Sequence, residues 1–486
     1  MTPQSAILIW GSQLSVDHHS ALRSYPNAPV MMIESKSVCR RFKYHKQKLA
    51  FVLTSMREFA DELATAGRIV HYVRLDESDD WFASLEQLCR QHSIHGIISM
   101  RQNDRAPQQN LEAWCADHAV SLEITPNTQF LTSTSEFHEW ATKQKRYSME
   151  QFYRWQRVRL GVLLDQDGKP EGGTWNYDSE NRKPLPKDAV LPEIDFPKPS
   201  RHRPDVLTLI DQHFNDHPGK TNVNWLPTTR PQAREWLQQF IETRLVHFGD
   251  YEDAMLKGET FLYHSAVSAL LNIGLLHPRE VVEAALATHA PLSGKEGFIR
   301  QIIGWREFMF GMYNLKPATW KNENFLDHQQ SLPAWWWQLS GATEPPLEDV
   351  LSRLKTFGYS HHIERLMVLG NYMLLSQYNP RDVYDWFMSM YVDAYEWVMV
   401  PNIIGMSQYA DGGIEHGGFA TKPYISGSNY LQKMGKWWPT TAAAKESEWT
   451  QLYWEFLARH QDKLAGNFRM QPLFKAAQRH VDKLNN

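Results

Sequence analysis

Cysteine is scarce in this chain of 486 residues. The three cysteines, Cys39, Cys89 and Cys115, all lie in the first quarter, and none belongs to a Cys-x-x-Cys pair. This excludes a dense disulfide framework of the kind found in small secreted domains. Because no cysteine follows Cys115, it also excludes an iron–sulfur cluster held by thiolates in the second half of the chain.

Long apolar runs, a signal peptide and an excess of positive charge are also missing. No run approaches the ~18 apolar residues that a membrane helix needs. The segment Met1–Trp10 lacks the basic start and long apolar core of a secretory signal. We therefore expect a cytoplasmic protein with no membrane contact. The net charge of −4 gives no overall attraction to nucleic acid, although local basic patches are compatible with it.

Short apolar runs alternate with helical patterns over residues 1–132. The runs are Ala6–Trp10, Val30–Ile33, Ile69–Val73, Gly96–Met100 and Val120–Ile124. Strands separated by helices predict a doubly wound parallel α/β sheet, in which ligands bind at the carboxyl ends of the strands. Gly11 follows the first run, but no Gly-x-Gly-x-x-Gly stands there, so a dinucleotide-binding fingerprint is absent.

Residues 133–230 are interpreted as a connector between two domains. Ser133–Glu136 has the pattern of a helix cap. The stretch Gly172–Pro204 is long and rich in proline and turn-forming residues, so it is either functional or a solvated linker. In the functional interpretation, Trp175, Arg182 and Lys183 contact a nucleic-acid backbone.

Helical periodicity dominates from residue 231 to residue 486 and predicts an all-helical domain. Helices are expected over Phe261–Leu276, Phe298–Met312 and His361–Gln377. The segment Val400–Gly413 has no helical period and contains glycine, asparagine and serine. It predicts an ordered loop of the kind that often carries function.

Three patterns in this helical half have both a structural and a functional interpretation. Ser265 and Ser268, near a predicted helix start, either cap the helix or bind a phosphate. The polar residues spaced along Gly297–Glu307 either contact a buried ligand or form a buried salt-bridge network. Trp335–Trp337 and Trp386 either fill the core or carry single electrons to a buried redox centre.

A fourth pattern lies in Gly358–Met367, which contains His361, His362 and Arg365. Asp393 follows Arg365 by 28 positions. An arginine and an aspartate on helices can clamp a cofactor, and two adjacent histidines can carry out proton chemistry beside it. A buried histidine pair with a purely structural role is the alternative.

Together these stretches resemble the photolyase–cryptochrome superfamily, and most closely its prokaryotic (6-4) photolyases, also called iron–sulfur bacterial cryptochromes and photolyases. The likeness spans nearly the whole chain and rests on Gly11–Leu14, His45-Lys46, Gly297–Glu307, His361-His362, Met406–Gly413 and Lys422–Tyr424. It implies an α/β antenna-type domain over 1–132, a connector with a long loop over 133–230 and an all-helical FAD-binding catalytic domain over 231–486.

The resemblance also implies roles for individual residues. FAD binding falls to His264, Ser265, Ser268, Gln301, Trp305, Arg365, Asp393 and Met399. The residues expected to line the catalytic lesion pocket are His361, His362, Tyr424 and Tyr430. Electrons are expected to reach the flavin through Trp337 and Trp386. The residues expected to contact DNA near the lesion are Trp175, Asp178, Arg182, Lys183 and Asp253. At Asp178 and Asp253, Mg²⁺ could bridge a carboxylate and a phosphate.

The chain departs from this family where the family binds an iron–sulfur cluster. The four cysteine positions fall on or near Pro346, Trp438, Thr441 and Ser447, none of which supplies a thiolate. No iron–sulfur cluster is therefore expected, and no residue of this chain is assigned as the ligand of a resident metal. We expect an apolar plug of Trp437, Trp438 and Trp449 in its place.

Further departures concern the two chromophores. Ser12 and Val38 stand where relatives have acids that hold a lumazine-type antenna, which weakens the expectation that one binds. Met399 replaces a residue that is often polar and faces the flavin N5. Phe387 stands where relatives can have a redox-active tyrosine. The sequence does not tell how Met399 and Phe387 change the photoreduction of the flavin.

The resemblance implies a monomeric DNA photolyase that repairs (6-4) pyrimidine photoproducts in UV-damaged DNA. Reduced FAD supplies an electron under light, and a protonated His362 or His361 supplies a proton. Two alternatives stay open: a cryptochrome-like blue-light photoreceptor without repair, with an unidentified signalling partner, and a cyclobutane dimer photolyase.

Overall fold

The structure, a computed structural model, describes residues 4–181 and 183–484, without the side chains of residues 481–484. Its N-terminal sheet consists of five parallel strands in the order β3-β2-β1-β4-β5. The strands are β1 Gln4–Leu8, β2 Val30–Ile33, β3 Val70–Val73, β4 Ile94–Met100 and β5 Ser121–Thr125. Helices cover both faces, so β2 is buried along its whole length and contains only apolar residues. The predicted doubly wound sheet is confirmed.

Five helices surround this sheet: α1 Ser20–Ser24, α2 Lys36–Cys39, α3 Lys46–Thr65, α4 Trp81–Gln91 and α5 Arg105–Asp117. Helix α3 is long and lies between the sheet and the helical half of the molecule. Its Phe51 and Met56 share one apolar core with Tyr359 and Val392, more than 300 positions later in the chain. The two halves are thus joined by a continuous hydrophobic interface.

The connector contains three helices, α6 Thr134–Thr142, α7 Met149–Leu160 and α8 Arg203–His213. The predicted cap at Ser133 is confirmed, since Ser133 and Glu136 exchange side-chain and backbone hydrogen bonds at the start of α6. Arg157 on α7 is fully buried and donates through Nη1 to the Trp175 carbonyl at 2.7 Å. The start of the long loop is therefore fixed to the helical core.

The second half is helical throughout its described residues. Its first helices are α9 Arg230–Thr243, α10 Leu245–Tyr251, α11 Ser268–Ile273, α12 Pro278–Leu286, α13 Leu292–Ile299, α14 Glu307–Leu315, α15 Ala334–Gln338, α16 Pro345–Phe357, α17 Asn371–Leu375 and α18 Pro380–Met390. The remaining ones are α19 Glu396–Met399, α20 Ser428–Gly435, α21 Thr441–Lys445, α22 Glu448–Arg459 and α23 Gln471–Leu484. None of the described helices is long and apolar enough to cross a membrane.

Three π-helical segments interrupt these α-helices: π1 Arg300–Arg306, π2 Glu364–Gly370 and π3 Val400–Ser407. Segments π2 and π3 approach each other closely at Gly370, where an added Cβ would lie 2.1 Å from Ser407 Oγ. Wide helical turns of this kind are frequent at functional sites. Segment π1 lies within Gly297–Glu307, which carries the family resemblance, π2 begins two residues after His362, and π3 ends inside Met406–Gly413.

Two sequence predictions are wrong at this level. The expected helix Phe261–Leu276 begins only at Ser268, because Leu262 and Ala266 adopt left-handed φ values of 44° and 52° that end any regular helix before it. The expected loop Val400–Gly413 is helical over its first part, π3. Helix α19 runs directly into π3, so Pro401 is an interior residue that cannot donate to the preceding turn, and the helix widens to π geometry around it.

Candidate functional site

The centre of the site is the ion pair between Arg365 and Asp393. Arg365 donates from Nη1 and Nη2 to the two Asp393 oxygens at 2.9 and 3.0 Å, and Ser268 Oγ donates to Asp393 Oδ2 at 2.6 Å. Burial alone would raise the pKa of Asp393, but Arg365 outweighs it and holds the pKa below its usual value. The residues that the 28-position spacing linked are therefore in direct contact, and Asp393 stays ionised.

Two histidines precede Arg365 at the start of the helix that continues through π2. Gly358 ends α16 in a left-handed conformation (φ 61°), which turns the chain back into this helix. His361 is 2% exposed and stacks on His264 with ring centroids 4.0 Å apart. Neither ring nitrogen of His361 has a hydrogen-bond partner among the described residues. Burial, then the neighbouring His264, lowers the pKa of His361 well below its usual value.

His362 differs from its neighbour in being accessible to solvent. Protein atoms nevertheless surround its ring closely enough that desolvation, and after it Arg365, lowers its pKa to about 4. Both histidines are therefore neutral at pH 7 in the free protein. The expected protonated form requires additional negative charge from a ligand.

The irregular segment 261–267 positions the two serines beside this pair. Trp236 Nε1 donates to the Ser265 carbonyl at 2.9 Å, and Arg244 Nη1 donates to the His264 carbonyl at 2.8 Å. Arg244 is fully buried, and within the described chain it forms no ion pair; burial lowers its pKa to about 10. Its positive charge lies at the His264 carbonyl, directly before Ser265, and the Ser265 and Ser268 side chains are half-exposed. This arrangement suits an anionic group bound at the serines.

A buried acidic network lies around π1. Arg300 contacts Asp178 at 3.0 Å, Glu296 at 3.3 Å and Glu252 at 3.6 Å. Gln301 donates to Glu252, whose pKa burial raises to about 7 despite Arg300. For Arg300 the salt-bridge interpretation is therefore correct. Gln301 is half-buried, and its hydrogen bond to Glu252 connects it to Arg300, which in turn pairs with Asp178.

Three other residues predicted for the cofactor and lesion pockets, Trp305, Asp253 and Met399, differ in their exposure and surroundings. Trp305 on π1 is half-buried. Asp253 lies close enough to Glu252 to raise the pKa of that carboxyl. Met399, at the end of α19, is only 3% exposed. Glu252 was missed by the sequence reasoning, since no motif marks a single acid in a connecting turn.

The predicted DNA-contact residues of the connector lie at the edge of the site. Trp175 is half-buried and packs near the guanidinium groups of Arg154 and Arg157, at 5.8 and 5.1 Å from its ring centroid. Lys183 is exposed and pairs with Asp250 at 2.6 Å. Arg182 lies outside the described residues.

The segment with the two predicted lesion tyrosines is docked on α17. Asn371 Nδ2 donates to the Ser426 carbonyl at 3.0 Å, and Ser426 N donates back to Asn371 Oδ1 at 3.3 Å. Tyr424 and Tyr430 are both half-buried at either side of this contact. The helix that carries His362 and Arg365 therefore also holds the tyrosine segment in place.

An aromatic chain leads from the surface to the Arg365–Asp393 pair. Trp386 contacts Trp336 with centroids 5.3 Å apart and donates its indole N–H to the Trp336 carbonyl at 2.9 Å. Trp336 stacks on half-buried Trp335 at 4.5 Å, and Tyr391 lies 6.2 Å from Trp386. The Arg365 guanidinium lies 4.0 Å from the Tyr391 ring centroid.

This aromatic chain differs in one member from the sequence prediction. Trp337 is half-buried and packs against the same core, but the indole that contacts Trp386 is Trp336. Tyr391 was not assigned a redox role from the sequence. Phe387, at the position of a redox tyrosine in relatives, stacks on Tyr391 at 5.4 Å.

The region expected to replace the iron–sulfur cluster is packed with tryptophan. Trp437, Trp438 and Trp449 are 3%, 6% and 0% exposed. Their indoles bond to neighbouring elements, Trp437 to Asp349 at 2.9 Å and Trp449 to the Ser426 carbonyl at 3.1 Å. Among the described residues no three His, Cys, Asp or Glu side chains come together as metal ligands.

The antenna positions lie in the first domain. Val38 on α2 is 50% exposed, and the Ser12 carbonyl accepts a hydrogen bond from the Gln129 side chain. Neither residue offers a carboxylate to a ligand.

Known proteins with similar sequences and structures are photolyases and cryptochromes. A family model described as deoxyribodipyrimidine photo-lyase-related protein matches residues 7–225. A (6-4) photolyase of Agrobacterium fabrum is 34% identical over 481 residues, covering 96% of this chain and 93% of that protein.

Solved structures share the fold at low sequence identity. A class III photolyase from Agrobacterium tumefaciens has a TM-score of 0.61 at 18% identity, covering 89% of this chain and 84% of that one. A Synechocystis cryptochrome has a TM-score of 0.60 at 15% identity, covering 92% and 89%.

Proposed function

This chain belongs to the family of the prokaryotic (6-4) photolyases, and from that membership we propose that it repairs (6-4) pyrimidine photoproducts in UV-damaged DNA in a light-driven reaction that depends on reduced FAD. The observation that carries the proposal is the direct contact of Arg365 with Asp393, with His362 accessible three positions before Arg365 on the same helix. One element thus bears both a cofactor clamp and a proton donor.

The residues present fit FAD. Arg365 is partly accessible beside an ionised Asp393, and the buried Arg244 cation bonds to the His264 carbonyl, directly before Ser265. Ser265 and Ser268 would hold the pyrophosphate, Arg365 and Asp393 would orient the isoalloxazine, and Gln301, Trp305, His264 and Met399 would complete the pocket. FAD, when bound, supplies light absorption and electron donation.

The histidines would manage the proton. His362 is neutral in the free protein because desolvation and Arg365 lower its pKa. A DNA phosphate beside it adds negative charge and raises this pKa, so the ring becomes protonated only when DNA is bound. His362, oriented by the Arg365 helix, then donates its proton to the lesion. His361, buried against His264, would shape the pocket behind it together with Tyr424 and Tyr430.

Electrons would enter through the aromatic chain. The order Trp335, Trp336, Trp386 and Tyr391 connects a half-buried indole to the residue beneath Arg365. We infer that Trp336, rather than Trp337, is the partner of Trp386 in keeping the cofactor reduced.

We further infer that the protein works as a cytoplasmic monomer without an iron–sulfur cluster and without a lumazine antenna. Asp178 is bonded to Arg300, which neutralises part of its charge, so the arrangement gives little support to an Mg²⁺ ion between Asp178 and Asp253.

Protein purified without oxygen should contain no stoichiometric iron. Stoichiometric iron in that protein would contradict the tryptophan packing as a replacement for the cluster.

A repair assay on defined oligonucleotides tests the function. Reduced, FAD-loaded protein should restore (6-4)-containing DNA under blue or near-UV light and not in the dark. Repair of DNA that contains cyclobutane dimers, without repair of (6-4)-containing DNA, would make it a cyclobutane dimer photolyase. Failure with both lesions, with a normal flavin spectrum, would favour the blue-light photoreceptor. The specific observation for that alternative is Met399, which is 3% exposed and has a thioether that cannot donate a proton.

A further inference from the structure

Phe468 is the most exposed aromatic side chain among the described residues. It is 74% exposed, in the turn between α22 and α23, whereas the other exposed phenylalanine, Phe196, is 42% exposed. Large aromatic rings are seldom left in water, because burying one contributes a large apolar area. A ring held out in this way requires an explanation.

The turn that carries Phe468 is anchored on both sides. Met470 is fully buried, and Asn467 Nδ2 donates to the Thr421 carbonyl at 2.9 Å. Asn467 Oδ1 also accepts the Arg469 amide at 3.0 Å, and the Asn467 side chain bonds to Tyr409. The ring is therefore presented by a fixed turn.

This turn lies next to the proposed lesion pocket. Thr421, which accepts the Asn467 amide, is three residues before Tyr424, a distance of at most about 10 Å along the chain. Burial, and after it the charge of nearby Arg469, lowers the pKa of Lys422. Phe468 therefore stands at the rim of the segment that lines the pocket.

The surroundings of Phe468 are basic in a chain that is acidic overall. Residues 459–480 contain five basic residues, Arg459, Lys463, Arg469, Lys475 and Arg479, and one acid, Asp462, which gives +4 against −4 for the whole chain. Residues 421–436 add three lysines and no acid. An exposed aromatic ring inside a basic patch is the combination that binds nucleic acid through phosphates and stacked bases.

We propose that Phe468 is a wedge that inserts into the DNA duplex at the lesion and fills the gap left when the damaged dinucleotide turns out into the pocket. This inference rests on the proposed function and specifies which part of the protein opens the duplex. Apolar wedges stabilise unstacked DNA because they replace the lost base stacking. The flanking Lys463 and Arg469 bind the DNA phosphates on either side of the gap. Asn467 fixes the turn that carries the ring against the segment that contains Tyr424.

Binding measured in the dark tests the wedge independently of repair. Fluorescence anisotropy would compare the full-length protein with Phe468→Ala and Phe468→Tyr on a (6-4) duplex and on the same lesion in single-stranded DNA. Phe196→Ala is the matched control, since it removes a ring from the surface outside the patch. We expect Phe468→Ala to weaken duplex binding on the order of tenfold, with the single strand unchanged and Phe468→Tyr close to wild type.

Several results would overturn the wedge. One is wild-type duplex binding by Phe468→Ala, and another is an equal loss on single-stranded and duplex DNA. A third is concentration-dependent self-association of the wild-type protein that Phe468→Ala abolishes, which would assign this surface to a second copy of the chain. Repair of the single-stranded lesion in light is measured separately, so a wild-type protein that binds but does not repair would refute the proposed function and leave the wedge standing.

Discussion

At the scale of single residues, the site is decided by how charges are distributed around His362. Desolvation is the main cause that lowers the pKa of His362, and among the charges the effect of Arg365 exceeds the opposing effect of the ionised Asp393. In the proposed mechanism, His362 therefore lacks the transferable proton in the free protein and would gain it only with the negative charge of bound DNA.

His362→Ala should abolish repair of (6-4) photoproducts and leave FAD binding intact, because His362 carries the proton while Arg365 and Asp393 hold the cofactor. Repair of a (6-4) oligonucleotide in light measures the first property, and the flavin absorption of the purified variant measures the second. His95→Ala, an exposed histidine on β4, serves as control. Repair at the wild-type rate by His362→Ala would rule out its proton role.

A second residue-scale prediction separates Trp336 from Trp337. Trp336→Phe should slow photoreduction of oxidised flavin in the presence of an external reductant, because it removes the oxidisable ring that contacts Trp386. Repair by chemically reduced protein should stay near normal. Trp337→Phe is the matched control and should have the smaller effect. A larger effect of Trp337→Phe would restore the order expected from the sequence.

At the scale of elements, the loop after β4 caps a helix of the other domain. Asp104 accepts the amides of Glu396 and Trp397 at 3.2 and 2.8 Å, the first turn of α19. Lys48 on α3 donates to the Ala394 carbonyl in the same turn. The α/β domain therefore fixes the short segment that begins with Asp393.

Asp104→Ala should destabilise the protein by about 1 kcal/mol or more, because the two α19 amides lose their acceptor at a buried interface. We expect a lower midpoint of thermal unfolding and weaker retention of FAD, since α19 follows Asp393 directly. Asp117→Ala, an exposed acid at the end of α5, should change neither quantity. An unchanged midpoint for Asp104→Ala would show that this cap contributes nothing measurable.

The π-helical segments illustrate what element patterns do not specify. The apolar period of 298–312 and 361–377 indicates helix correctly, but the wide turns at π1 and π2 arise from close packing at particular points, such as Gly370 against Ser407. Segment π3 was mistaken for a loop because its glycine, asparagine and proline are poor α-helix formers. Tertiary packing outweighs that preference.

At the scale of the whole molecule, several buried histidines make stability depend on pH. Burial, as the main cause, lowers the pKa of His19, His277 and His328 to about 3 and that of His460 to about 4. His328 and His460 face each other with their Nε2 atoms 3.0 Å apart. These folded-state values lie below the ordinary 6.5, so the unfolded chain binds more protons between pH 6.5 and about 4.

The free energy of unfolding should therefore be highest above pH 6.5 and fall as the pH is lowered toward 4, by up to about 1.4 kcal/mol per pH unit for each such histidine. Urea unfolding at pH 7.5 and 5.0 measures this difference. His328→Asn should reduce it, because the variant has one proton-binding group fewer in the unfolded chain. A pH-independent unfolding curve over this range would contradict the prediction.

The sequence by itself determined the parallel sheet and the helical second half, because both depend on apolar periodicity, which is a local property of the chain. The pairing of Arg365 with Asp393 was implied by the resemblance to the photolyase–cryptochrome superfamily. The sequence also excluded a thiolate cluster after Cys115, because ligand chemistry needs only the residue types.

Only the tertiary structure decided which indole contacts Trp386, that Arg300 is neutralised by Glu252, Glu296 and Asp178, and that His362 is neutral at pH 7. The reason is the same in each case. A contact or a pKa depends on groups brought together from distant parts of the chain, and periodicity along a single element does not carry that information.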